Sequence, residues 1–408
     1  MKTNPFKFTF WKAVAILTLA AGAAATWLRV TGGLGASTNL TDATPWGLWV
    51  AFDILCGVGL AAGGFTMAAI VHIFHIKRFE PMLRPAILTA FLGYLLVIVG
   101  LMFDLGRPFS VWHAIIMWNP NSVMFEVAWC VMLYTTVLAM EFAPVVLERF
   151  RLFKLVRIMG RVSIVFIILG VLLSTLHQSS LGSLFLIVPG KMYGLWYSAY
   201  LPAFFYVSAI AAGCAMVIFE SYLSSRAFGR GLEMHLLQEI GRVCVMVLGV
   251  YLVMKVVDLA SRDMFGLLLL PRKETAFYWA ELVVGVIAPM LWLGRAKVRA
   301  NYHGLFAGAV MVVVGFVFNR LNVATTALER SAGVAYVPKW SELAITMSIV
   351  TVGFIAFALA ARYLPIFTDE HGHAREEESV VPVAWVEDAG DARRQAPKRG
   401  DHGILVAK

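Results

Sequence analysis

The chain has 408 residues, of which 60% are hydrophobic and only 14% charged, and its mean hydropathy is +0.77. A soluble domain carries about 25% charged residues and needs polar cover for its apolar side chains, so a soluble enzyme, a disordered protein and a nucleic-acid binder are excluded. The net charge of +9 comes from short basic clusters between apolar runs, which is how topology charges look rather than a stripe that tracks phosphates.

A bilayer-crossing helix needs about 20 mainly apolar residues. Ten such stretches are predicted, near 11–30, 46–74, 86–104, 122–146, 156–176, 197–220, 241–259, 276–294, 302–319 and 341–363. The expected fold is therefore an all-α integral membrane protein of about ten transmembrane helices. The first stretch follows Lys2, Lys7 and Lys12 as a signal peptide would, but it is long for one, and Arg29 follows Trp27 as an interfacial anchor would. From about Phe367 to Lys408 the sequence is polar and carries Glu376-Glu377-Glu378, which reads as a mostly disordered tail.

The helix ends sort into two faces. One collects Lys2, Lys7, Lys12, Lys77, Arg78, Arg84, Arg149, Arg151, Lys154, Arg157, Arg161, Arg226, Arg230, Arg242, Arg295, Lys297 and Arg299, seventeen cations in all. The other has ten: Arg29, Arg107, Lys191, Lys255, Arg262, Arg272, Lys273, Arg320, Arg330 and Lys339. The positive-inside rule makes the first face cytoplasmic, with both termini on it, in a prokaryotic inner membrane. Loops near 31–45, 105–121, 177–196, 260–275 and 320–340 then face outward.

The chain also echoes itself. Ala61-Ala62-Gly63 returns as Ala211-Ala212-Gly213, Asp104-Leu105 as Asp258-Leu259, and Glu126 as Glu281. The echo suggests two four-helix bundles in a parallel repeat, with the first and last helices flanking them. The units expected are 1–45, 46–176, 177–319, 320–366 and the tail 367–408. Chance similarity between apolar helices is the competing explanation.

A charged side chain in mid-membrane costs about 2.5–3.5 kcal/mol on insertion scales, so such residues are candidates for function. They are Asp53, Glu126, Glu141, Lys255, Asp258 and Glu281. Lys255 and Asp258 stand three apart on one helix face and are expected to pair as a structural alternative. Glu126 and Asp53 have no basic residue within four positions, which favours a functional role. The segment 103–122 combines Asp104, Arg107, Trp112, His113, Trp118 and Asn119 with apolar residues, and 176–186 brings His177 and Gln178 beside Ser179 and Ser180. Both read either as an aromatic belt or as a pocket for an amphipathic ring with an apolar tail. A quinone headgroup wants a donor at each carbonyl and a proton source, which His and Asp supply.

No C-x-x-C or C-x-x-C-H occurs, and no histidine is expected near the bilayer midplane. An iron–sulfur cluster, an attached c-type haem and a bis-histidine haem b are not expected. Electrons would then enter and leave on one face, and any transmembrane coupling would move protons.

Together, Pro45-Trp46-Gly47-Leu48-Trp49 leading to Asp53, Phe103-Asp104-Leu105-Gly106-Arg107-Pro108, Met117-Trp118-Asn119-Pro120, Glu126-Val127-Ala128-Trp129-Cys130 and His177-Gln178-Ser179-Ser180-Leu181-Gly182 resemble the NrfD / polysulfide-reductase membrane-subunit family. The likeness is greatest to its ten-helix branch with the HybB-type membrane subunit of nickel–iron hydrogenase-2. The resemblance covers the membrane region and is densest from 45 to 225. It implies a subunit without a redox cofactor of its own that binds menaquinone or ubiquinone near the periplasmic side. It implies a ferredoxin-like partner with several iron–sulfur clusters on that face, and further catalytic or multihaem cytochrome subunits. Carried over position by position, it places His177, Asp104 and Arg107, with Trp46, Trp118 and Gln178, at the quinone, and Glu126, Asp53 and Glu281, with Glu141 and Asp258, on a proton route. The tail matches nothing in the family pattern. An ion or solute transporter without a redox role is the alternative that parallel repeats and buried acids equally allow.

Overall fold

The computed structural model describes residues 10–229, 231 and 233–367. The polar tail beyond Phe367, and the expectation for it, lie outside these residues. Among the described residues, ten helices are long and apolar enough to cross a membrane: α1 Phe10–Ser37, α2 Trp49–Ile73, α3 Lys77–Asp104, α4 Val123–Arg149, α5 Phe153–Ile187, α6 Leu201–Phe228, α7 Met234–Ser261, α8 Lys273–Gly294, α9 Tyr302–Ala332 and α10 Trp340–Tyr363. The chain is thus a multi-pass, all-helical membrane protein.

Neighbours in sequence are largely neighbours in space. The contacts run from α2 to α3, α4 and α5, with α5 returning to α2, and from α6 to α7, α8 and α9, with α9 returning to α6. The two sets join where α2 meets α6 and α9 and where α5 meets α6. α1 and α10 pack on each other, and α10 also leans on α3 and the start of α2. α2 is the most buried of the ten helices, while α1 and α5 present most of their surface outward.

The α2–α6 crossing is made by the two Ala-Ala-Gly echoes. A Cβ on Gly213 would lie 2.8 Å from the Ala62 carbonyl carbon and 2.9 Å from the Gly63 nitrogen. Only glycine lets the two backbones approach so closely.

Helical regularity fails at informative places. π-helical turns occupy Trp49–Cys56 and Ala69–Ile73 in α2, Val283–Ile287 in α8 and Asn322–Thr326 in α9. Such turns often mark functional sites. The first contains Asp53 and the last begins at Asn322. In mid-α2 the helix tightens, and the Ala62 amide donates to the Gly59 carbonyl. The adjacent Val58 carbonyl accepts from Gln178 Nε2 at 3.0 Å.

Two of the expected outer loops begin later than the sequence suggested. α5 runs without a break through His177 to Ser183 and a 3₁₀ turn to Ile187, because its polar residues find partners inside the protein. α9 continues past Arg320 to Ala332. Arg320 is 1% exposed and therefore is not the outward loop charge expected from topology. Lys255 and Arg29 are likewise buried, and Arg29 binds backbone where an interfacial anchor was expected.

Candidate functional site

The first set of helices carries a column of polar groups between α3, α4 and α5. Ser122 caps α4, its hydroxyl accepting from the Phe125 amide. Glu126 stands in the first turn of α4 and is exposed. It accepts a short hydrogen bond from the Ser180 hydroxyl of α5. One turn deeper on α5, His177 is fully buried. Its Nδ1 lies 3.0 Å from the Tyr94 hydroxyl of α3, while its Nε2 is buried without a hydrogen-bond partner among the described residues. Tyr94 meets the Tyr134 ring edge-on at 4.7 Å. Deeper again, Ser174 Oγ and Glu141 Oε1 are buried and, among the described residues, unpartnered, and Glu141 faces Gly170 across the α4–α5 seam. Glu126 and Glu141 are separated by about 22 Å of helix rise at 1.5 Å per residue. Buried polar atoms are normally satisfied, so unpaired atoms in one column call for water or a ligand. Hydroxyl and imidazole groups can each take one proton and release another. His177 is therefore an interior residue, not one that emerges from the helix at the outer face.

Beside this column lies an acidic cluster. Asp53, in the first π turn of α2, is buried against Gly100 and accepts from Thr346 Oγ1 of α10 at 2.8 Å. Asp104, the last residue of α3, is bracketed by Arg29 of α1, which donates to the Phe103 and Leu105 carbonyls at 2.8 Å each. Glu342 of α10 accepts from the Tyr336 hydroxyl and from the Lys339 and Asn39 amides at 2.8 and 3.1 Å. Tyr336, in the loop before α10, also accepts from the Leu48 amide at 2.8 Å. Burial first, then the bond to Glu342, push its phenol above the ordinary range and hold it neutral. Arg29, Glu342 and Thr346 were missed from sequence because α1 and α10 read as mere flanking helices.

The second set of helices treats its acids differently. Asp258 accepts from Ser198 Oγ at 2.6 Å and pairs with Arg262 at 2.5 Å. The expected Lys255–Asp258 pair gives way to this bond. Lys255 instead stands over the rings of Phe204, Tyr251 and Tyr278 at 4.7–5.7 Å, an aromatic box that attracts a cation. Glu281 accepts from Trp196 Nε1 at 2.9 Å, Asn319 Nδ2 at 2.6 Å and Asn322 Nδ2 at 2.9 Å. Asn319 accepts in turn from Arg320 at 2.6 Å, and Arg320 also donates to Ser208 Oγ at 2.8 Å. An Asn-Arg-Leu-Asn run inside an apolar helix was the signal for this network.

The remaining sequence candidates are dispersed. Gln178 is buried with its amide nitrogen on the Val58 carbonyl. Trp46 is half-buried, edge-on to Phe185 at 5.0 Å. Arg107 is exposed. Trp118 is 66% exposed and packs on Trp129 at 4.8 Å, next to Glu126 on α4. Asp104 stands about 15 Å along α3 from Tyr94 at 1.5 Å per residue, so it does not share a contact shell with His177.

The sequence profile described as "Polysulphide reductase, NrfD" matches residues 36–330. A protein of Nitratidesulfovibrio vulgaris is 38% identical over 375 residues, covering 89% of this chain and 96% of its own length. The probable Ni/Fe-hydrogenase 2 b-type cytochrome subunit of Escherichia coli is 34% identical over 358 residues, covering 86% of this chain and 91% of its own. The menaquinone reductase integral membrane subunit of N. vulgaris is 28% identical over 398 residues, covering 89% and 93%. This chain belongs to the NrfD family.

Proposed function

We propose that the chain is the quinone-reactive membrane subunit of a prokaryotic respiratory oxidoreductase. In this reading it lies in the inner membrane with both termini cytoplasmic. It exchanges electrons with an iron–sulfur subunit docked on the periplasmic face and couples that exchange to proton movement. α2–α5 and α6–α9 act as two four-helix bundles, with α1 and α10 flanking. Membership of a family whose relatives include hydrogenase and menaquinone reductase membrane subunits supports the class of reaction.

The observation that carries the reading is His177: a buried imidazole with one nitrogen fixed by Tyr94 and the other unpartnered. With Nδ1 accepting from Tyr94, Nε2 carries the hydrogen and is a donor for a carbonyl oxygen. A bound quinone would supply two-electron, two-proton redox chemistry at that donor. Tyr94 orients the ring of His177. Ser180 and Glu126, one turn outward, hold a proton at the exposed mouth, and Glu141 holds one in the interior. Trp118, packed on Trp129 next to Glu126, and Trp46, packed on Phe185 past the end of the column, are assigned to an apolar tail. Asp53 and Asp104 are assigned to proton exchange beside Arg29. Gln178 mainly secures α2, and Asp258 and Glu281 rank below the acids of the first set.

The name of the E. coli relative raises haem b. Haem iron is held by axial ligands such as histidine, methionine, cysteine or tyrosine. Among the described residues His177 is the one buried histidine, and no step of the proposed chemistry runs through a haem.

Binding of a quinone analogue to the purified complex tests the proposal. His177→Ala lowers affinity about tenfold, the order of one lost hydrogen bond to a buried partner, and Asp104→Asn lowers turnover. Unchanged affinity and turnover in both variants would remove these residues from the site.

A further inference from the structure

The turn between α4 and α5, at the end of the molecule opposite His177 and Glu126, carries charge that none of the preceding chemistry uses. Arg149, Arg151, Lys154, Arg157 and Arg161 fall within thirteen residues and are all exposed. Among the described residues none of them has an ion-pair partner. Glu148, beside Arg149 in sequence, is taken by Arg84 at 3.1 Å. Elsewhere at this end the cations are more often engaged. Arg78 pairs with Glu239 at 2.5 Å, and Arg299 is buried on the Leu293 and Gly294 carbonyls. Topology alone requires only that cations lie on this face, not that five be crowded and unpaired in one turn.

The backbone gives an independent observation. α4 ends with the Arg151 amide on the Glu148 carbonyl at 3.0 Å and the Leu152 amide on the Leu147 carbonyl at 3.0 Å. This is a helix stop whose central residue is left-handed and favours glycine. α6 and α9 end on left-handed glycines, Gly229 and Gly333. α4 puts Arg151 there, at φ 57°. A cation is held where the backbone alone would select glycine. α5 then starts without a side-chain cap and with no acid in its first turn, leaving the positive end of its dipole uncompensated. Exposed Phe150, Phe153 and Ile158 alternate with the cations, so the surface is apolar and basic together.

We infer that the α4–α5 turn binds the headgroups of anionic phospholipids, its cations on the phosphodiester and its exposed apolar side chains among the acyl chains. Basic clusters at the ends of membrane helices attract anionic lipid in this way, and long cationic side chains reach the headgroups from the helix ends. The inference does not depend on the quinone reading or on which leaflet the turn occupies.

The full chain in nonionic detergent is titrated with phosphatidylglycerol, and bound lipid is counted by native mass spectrometry. Each cation removed weakens binding about fivefold. The triple variant Lys154→Gln, Arg157→Gln, Arg161→Gln is expected to lose about a hundredfold. Arg151→Gly, which suits the backbone better, loses about fivefold with the turn intact. The control Arg295→Gln, Lys297→Gln, on another turn at the same end, changes binding less than about twofold. Equal losses in the triple variant and the control would overturn the inference, as would equal binding of phosphatidylcholine. So would full displacement of the lipid by an equal concentration of glycerol phosphate, which would indicate a site for the free anion only.

Discussion

The two sets of helices surround their buried acids differently. In α6–α9, Asp258 and Glu281 are met by Arg262, Ser198, Trp196 and two asparagines, with Arg320 and Lys255 nearby. In α2–α5, Asp53 is met by a threonine hydroxyl and Glu141 Oε1, among the described residues, by nothing. A buried carboxylate supplied with cations and amide donors is costly to disturb and acts as structure. A buried carboxyl with only a hydroxyl or no partner is the kind that exchanges a proton. On the proposed reading, the side chains make α6–α9 a brace and α2–α5 the working site.

The largest effect is expected in the brace. Arg320→Gln removes the buried cation that donates to Asn319, Ser208 and the Phe205 carbonyl and costs about 3 kcal/mol, the order for lost hydrogen bonds from a charged group. Thermal unfolding in detergent measures it, and an unchanged midpoint would mean that α6–α9 is not locked. His177→Ala sharpens the other side of the contrast: turnover with quinol falls about a hundredfold, while the unfolding midpoint moves far less than in Arg320→Gln. Glu141→Leu is expected to keep or raise stability, because an uncompensated buried acid is replaced by an apolar group, yet to slow proton-coupled turnover about tenfold. Glu281→Leu should do the reverse. Matching behaviour in the two variants would erase the distinction. Glu126→Gln keeps an acceptor for Ser180 and leaves assembly intact, but impairs proton-coupled turnover in proteoliposomes. The smallest change, less than about twofold, is expected for Trp118→Ala, since an exposed ring at the interface contributes little.

The ten spans were legible because the bilayer requires about 20 apolar residues in a row and little else supplies them. Their ends were less so. α5 and α9 outrun the apolar pattern because Gln178, Asn319, Arg320 and Asn322 are satisfied by other helices, and no local window contains those partners. His177, Glu126 and Glu141 were identifiable as costly residues in apolar surroundings. Their alignment with Tyr94, Tyr134 and Ser174 was not, since it depends on the rotation of three helices about their axes. Lys255 and Asp258 show the limit of spacing rules: a three-residue interval permits a pair, but Arg262, four residues on, takes Asp258, and aromatic rings take the lysine.

The central claim is that quinone chemistry belongs to the α3–α4–α5 column, and photolabelling tests it most directly. A quinone carrying a photoreactive group is bound to the intact complex, illuminated, and the modified peptides sequenced. The account predicts labelling within α4 and α5, between Glu126 and Ser180, that His177→Ala strongly reduces. Labelling concentrated in α7–α9 around Glu281, indifferent to His177, would contradict it.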